Sequence, residues 1–185
     1  MEKNLSYYIR KYKAFDDNKC DEIVYELSNV EWLQHKFYNS ASNTYASYDK
    51  ELSISHDSIS YTSYLERQIN RTMSLYLEDL NFPWYSSYNQ SRPLRFNRYE
   101  KNTLMREHCD HIHDMFDGTR KGIPVLSAVG LLNDNYKGGD LIFFGDTKIK
   151  LGKGQVVIFP SNFLFPHLVS EVTEGVRYTV VTWAW

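Results

Sequence analysis

His108, Asp110 and His167 are the residues on which a chemistry can be built. Side chains two apart on an extended strand project to the same face, so His108 and Asp110 can approach one point while Cys109 points away. A third ligand, His167, would arrive from a distant strand. Two neutral imidazole nitrogens and one carboxylate oxygen on one side of a divalent ion suit Fe(II), and they leave coordination positions open for substrate and O2. As a bare pattern, H-x-D with a distant histidine is weak, because a lone strand histidine is more often a hydrogen-bonded structural residue. His108, His111 and His113 form a rival set, a local zinc cluster. If the first set is the metal site, His111 and His113 fall just past the metal strand, towards solvent or substrate.

A scaffold must bring residues 108 and 167 together, and the hydrophobic pattern supplies one. From Leu94 onward, apolar residues come in short runs rich in β-branched and aromatic side chains: Leu94 to Tyr99, Val125 to Leu132, Leu141 to Phe144, Gln155 to Phe159, Leu168 to Ser170 and Val176 to Trp183. Gly138-Gly139, Gly152-Lys153-Gly154, Pro160-Ser161-Asn162 and Glu174-Gly175 punctuate them. Many short strands separated by glycine turns imply a sandwich or jelly roll. Ahead of them the period is helical. Asp16-Asp17-Asn18 can cap a helix carrying Cys20, Ile23, Val24 and Leu27, and Leu65, Ile69, Met73, Tyr76 and Leu80 form a second apolar stripe. Ser63 to Glu66 has capping-box spacing for that second helix, and Asn81-Phe82-Pro83 ends it. Leu5 to Ile9 reads as a short strand, and Tyr38 to Tyr48 and Trp84 to Arg92 as aromatic loops. The expectation is one domain over 1–185. Residues 1–92 give helical support and aromatic loops, and residues 93–185 the β core.

Composition narrows the function classes. A formal net charge of −2 over 185 residues gives no global attraction to nucleic acid or to an anionic membrane. No run approaches the roughly 20 apolar residues of a membrane span, and the first thirty residues lack the apolar core of a signal peptide. Two cysteines, Cys20 and Cys109, in unlike contexts argue against a disulfide framework and for a reducing, cytoplasmic setting. Fifteen tyrosines imply either an aromatic core or a binding surface.

Read in order, Arg98-Tyr99, His108-Cys109-Asp110, Leu131-Leu132-Asn133, Gly138 to Phe143, Gly154 to Ser161, His167 to Val169 and Thr173 to Tyr178 with Trp183 resemble the catalytic domain of 2-oxoglutarate- and Fe(II)-dependent dioxygenases, in their prolyl 4-hydroxylase-like branch. The resemblance covers about half the chain. It implies a double-stranded β-helix of jelly-roll, cupin-like type resting on a helical layer, with His108, Asp110 and His167 as metal ligands. It also implies Fe(II), 2-oxoglutarate and O2 as reactants, with ascorbate as an accessory reductant. A 2-oxo acid chelating iron would place its far carboxylate in a partly dry pocket, where an unpaired charge is costly. Arg177 can meet that carboxylate bidentately, and it shares strand parity with Thr179, Val181 and Trp183, a face that reads as buried. Tyr99 resembles the family tyrosine that hydrogen-bonds 2-oxoglutarate. Leu141, led in by the Gly138-Gly139 turn, and Trp183 complete the expected pocket wall, while Asn133 fixes a turn.

The sequence departs from the closest hydroxylases at Met105 and Leu131, where tyrosine is found, and at Arg177, where many members carry lysine. The expected reaction is hydroxylation with release of succinate and CO2, first of all on prolyl residues of a peptide or protein held between the two aromatic loops. A small-molecule substrate fits the same centre. Two rivals stand beside it. One is a non-catalytic jelly-roll module binding peptide or sugar, and the other is an assembly protein with a tyrosine-rich interface.

Overall fold

Residues 4–39, 42, 44–89, 91–110 and 124–185 are described by the computed structural model. The N-terminal half contributes β1 (Arg10–Lys13), α1 (Asp17–Glu26), β2 (Leu33–Gln34), β3 (Phe37–Asn39), β4 (Thr44–Ala46), β5 (Ser53–Ser55) and α2 (Thr62–Leu80). Next come β6 (Arg95–Tyr99), β7 (Met105–His108), β8 (Leu126–Leu131), β9 (Lys137–Gly138), β10 (Leu141–Phe143) and β11 (Thr147–Ile149). The chain finishes with β12 (Gln155–Pro160), β13 (His167–Val169), β14 (Val172–Glu174) and β15 (Arg177–Ala184). A large sheet in the order β1-β12-β8-β15-β6-β5-β2 faces a small sheet in the order β11-β10-β13-β7, and the pairings within both are antiparallel. This is the double-stranded β-helix of the jelly-roll class.

Strand alternation sorts the large sheet into two faces. In β12, Val156 and Ile158 join the core under the helices, and Val157 and Phe159 join the core between the sheets. The helix-side core also takes Phe96, Leu126, Ala128, Val180 and Ala184 from the sheet and Cys20, Ile23, Leu65, Ile69, Met73 and Tyr76 from α1 and α2. An isolated helix as short as α1 is marginal in water, and most helical stability in proteins comes from packing an apolar face, so the buried stripes on the sheet hold α1 and α2. Gly130 lies under Phe15, where a Cβ would sit 2.6 Å from the ring, so the ring can seat flat on β8. Both cysteines are free thiols, and no helix among the described residues is long and apolar enough to cross a membrane.

Local expectations differ from the structure in three places. Leu5–Tyr8 is a 3-10 turn capped by the Asn4 side chain rather than a strand, and pairing starts at Arg10. The stretch from Tyr38 to Tyr48 is not wholly a loop: β3 and β4 form a hairpin, with Phe37 opposite Ala46 and Asn39 opposite Thr44. Its Ser, Asn and Ala content hides the alternation that marks strands. The capping box at Ser63 is unused, because α2 begins at Thr62 and the Thr62 hydroxyl accepts from the Ile59 N–H instead. At α1 the cap is as expected, with Asp16 Oδ1 accepting from the Asn18 and Lys19 N–H groups.

Candidate metal and dicarboxylate site

Three elements converge at one end of the space between the sheets. β7 ends at His108, Asp110 follows in a turn two residues on, and His167 opens β13 directly opposite His108. Asp110 is therefore delivered by the turn and not by a continuing strand. One candidate ligand atom from each residue lies within 4.8 Å of the others. Asp110 Oδ1 is 3.3 Å from His108 Nε2 and 3.7 Å from His167 Nε2. Both rings are oriented through their other nitrogens, since His108 Nδ1 meets the Arg106 carbonyl at 2.8 Å and His167 Nδ1 the Phe165 carbonyl at 3.0 Å. A carbonyl can only accept, so each Nδ1 carries a proton and each Nε2 is the nitrogen turned towards the shared centre.

The carboxylate is oriented too. Ser127 Oγ donates to Asp110 Oδ2 at 2.6 Å, and the Ser161 hydroxyl lies 2.9 Å from Ser127 Oγ. Burial alone would raise the Asp110 carboxyl, but His167, His108 and the Ser127 hydrogen bond outweigh it and hold the group well below the usual carboxylate range. Burial among Phe143 and Phe159 pushes His167 down to about 4 against the pull of Asp110. At neutral pH the set is one anion and a neutral buried imidazole, the protonation that metal ligation requires. The arrangement can hold a divalent ion with a face left open.

Beside this cluster, against Tyr99, lies a cation with no carboxylate partner among the described residues. Arg177 is 2% exposed, and its Nε and Nη1 are buried without a hydrogen-bond acceptor. The Thr179 hydroxyl, two residues along the same face, is equally unpaired. Buried donors left unmade are costly, so this end of the site fits an anion with two oxygens. Arg177 pairs with Tyr99 across β15 and β6, its guanidinium 4.9 Å from the centre of that ring. The Tyr99 hydroxyl donates to the Met105 thioether at 3.7 Å, a weak acceptor that a carboxylate can replace. Gly139 makes room for Arg177: its φ is +62°, and a Cβ there would stand 2.8 Å from Arg177 Cδ.

Tyr99, Leu141 and Trp183 line one cavity between the sheets with His108, Asp110 and His167, whereas Arg177 does not line it and lies against the Tyr99 ring instead. Arg95, Asn97 and Ser127 line it as well and were missed. Parity with Tyr99 was the available signal for the first two. His111 and His113 lie outside the described residues. The two aromatic segments do not build one groove. Phe37 packs on His108, with ring centres 5.8 Å apart, and Tyr48 lies under Arg106, whereas Trp84 stacks on Phe82 in an apolar recess with Leu5, Tyr8, Val125 and Leu164.

Residues 94–185 match the model of the 2OG-Fe(II) oxygenase superfamily. The C-terminal half of this chain belongs to that family. A PKHD-type hydroxylase from Delftia acidovorans is 36% identical over 99 residues, covering 49% of this chain and 42% of its own length. The PKHD-type hydroxylase YbiX from Shigella boydii is 38% identical over 101 residues, covering 50% and 42%. The match thus spans about two-fifths of these relatives. The fold likeness runs further. A viral collagen prolyl hydroxylase from Paramecium bursaria Chlorella virus-1 superposes with a TM-score of 0.65 at 17% identity, over 96% of this chain and 94% of that one. A prolyl hydroxylase from Trichoplax adhaerens, solved with a hypoxia inducible factor peptide fragment, gives 0.68 at 15%, over 96% and 83%. At such identities the likeness shows that the oxygenase fold includes the N-terminal helices and strands.

Proposed function

We propose that this chain is a 2-oxoglutarate- and Fe(II)-dependent dioxygenase that hydroxylates prolyl residues of a peptide or protein. The observation that carries the reading is a His-Asp-His cluster held by the small sheet together with a buried guanidinium on the large sheet whose Nε and Nη1 have no hydrogen-bond acceptor among the described residues. His108, Asp110 and His167 would hold the metal. Arg177, helped by the Thr179 and Tyr99 hydroxyls, would take the far carboxylate of 2-oxoglutarate. Bound iron, 2-oxoglutarate and O2 supply the oxidising chemistry, with succinate and CO2 as co-products.

The chain's own part is positioning and exclusion. Ser127 keeps the Asp110 carboxylate aimed, and the two backbone carbonyls at Arg106 and Phe165 keep both imidazoles aimed. Leu141, Phe143, Phe159 and Trp183 keep the surroundings dry, which strengthens each charge interaction inside. A prolyl substrate is supported by the prolyl hydroxylases among the structural neighbours and by Phe37 of the hairpin beside His108, an aromatic ring on which proline can stack. Anaerobic titration with Fe(II) and 2-oxoglutarate tests the class: a visible charge-transfer band should grow to one equivalent, and proline-containing peptides should then stimulate succinate release in air. Absence of both the band and binding would refute the oxygenase reading.

A further inference from the structure

A second guanidinium lines the site cavity without a carboxylate partner among the described residues. Arg95 lies in β6 two residues before Asn97 and four before Tyr99, so the three share one face. Its Nε donates to Asn97 Oδ1 at 3.0 Å, and its guanidinium carbon lies 4.8 Å from the centre of the Trp183 ring. These contacts fix the stem. Among the described residues no hydrogen bond engages its two terminal nitrogens, and Arg95 lines the cavity with His108, Asp110 and His167. Burial works against its charge there. Asp110 is the carboxylate nearby, yet its oxygens are engaged by the histidines and by Ser127, and it forms no ion pair with Arg95.

The two arginines occupy different stations. Arg177 is opposite Tyr99, and Arg95 is opposite Val181, four residues further along β15. At strand rise that is roughly 13 Å. A dicarboxylate reaching from the ligand cluster back to Arg177 therefore leaves Arg95 unserved, beside the end where Trp183 faces Ser127. Resting on the oxygenase reading, we propose that Arg95 is a specificity-determining residue that binds a carboxylate of the primary substrate, close to the carbon presented for oxidation. That carboxylate can be the terminal one of a prolyl residue or an acidic side chain beside it.

The test uses Zn(II)-loaded protein saturated with 2-oxoglutarate and follows binding by calorimetry. One probe pair is N-acetyl-L-proline and its amide. The other is the acetylated, amidated tripeptide Gly-Pro-Glu and its Gln counterpart. At least one acid should bind on the order of tenfold or more tighter than its neutral partner, the size of a charge-assisted hydrogen bond, and which pair responds identifies the source. Arg95→Gln should abolish the preference. Arg95→Lys, which keeps the charge but loses the planar fork, should retain part of it. Both variants should bind 2-oxoglutarate as the wild type does. No acid preference in the wild type, including no measurable binding by any probe, overturns the proposal. So does a preference that survives Arg95→Gln, or a loss of 2-oxoglutarate affinity in the variants. The Fe(II) charge-transfer band reports separately on the oxygenase reading, so the two can fail independently.

Discussion

Replacing Arg177 with Met keeps the aliphatic length and removes the guanidinium. In the ligand-free protein Nε and Nη1 have no acceptor, so the cost of burying that charge is not repaid. The Arg177→Met protein should therefore melt at or above the wild-type temperature when empty. Binding should suffer in the opposite sense, because truncating one partner of a buried, hydrogen-bonded charge pair costs about 2–5 kcal/mol. The assay is thermal denaturation of Mn(II)-loaded protein with and without 2-oxoglutarate. At a concentration of about 100 Kd the wild type gains roughly 2.7 kcal/mol, worth about 5–10 °C for a chain of this size. A hundredfold weaker complex at the same concentration retains roughly 0.4 kcal/mol, or about 1 °C. A variant that keeps most of the ligand-induced shift would refute the assignment of Arg177. An empty protein that melts several degrees low would show that the guanidinium is a structural cation.

Three other outcomes follow from the same geometry. Ser127→Ala removes the donor to Asp110 Oδ2 and should weaken metal binding by about 10- to 100-fold, read by chelator competition; unchanged affinity would remove Ser127 from the site. Gly139→Ala forces a side chain to φ +62° and against Arg177 Cδ, so it should cost about 1–2 kcal/mol from the backbone alone and shrink the 2-oxoglutarate thermal shift. Burial holds the His35 imidazole below its ordinary pKa, with Glu51 partly opposing, so the folded chain takes up that proton less readily than the unfolded one. Its contribution is intact above about pH 6.5 and declines on acidification. Urea midpoints should fall between pH 7.5 and 5.5, and fall less in His35→Gln; equal declines would contradict the linkage.

Legibility in the sequence tracked how cleanly burial was written into alternation. β12 and β8 were readable because both faces are apolar and glycine or proline turns bound them. β7 was not, since Met-Arg-Glu-His buries only Met105 well, and its place is fixed by pairing with β13 rather than by its own pattern. Arg177 could be read from its parity with Thr179, Val181 and Trp183. Arg95 and Asn97 had only their parity with Tyr99 to mark them, and polar residues alternating with Leu94 and Phe96 look like a solvent face, whereas β6 is covered on both sides. Ser127, a small residue among apolar ones, carries no chemical signal until Asp110 is folded against it. The joint aromatic groove failed for a topological reason: the first segment rides on the metal side of the sheet edge, and the second follows α2 to the apolar recess of Leu80 and Phe82.

The ribbon from Arg177 to Ala184 serves two masters at adjacent positions. Val181 and Trp183 line the site cavity and Arg177 and Thr179 share their strand parity, while Tyr178, Val180 and Ala184 seat the helical layer. Point replacements at Val181 and Trp183 can reshape the cavity while leaving the residues under the helices in place. Changes of length cannot: one inserted or deleted residue would swap the two sets and lose pocket and foundation together.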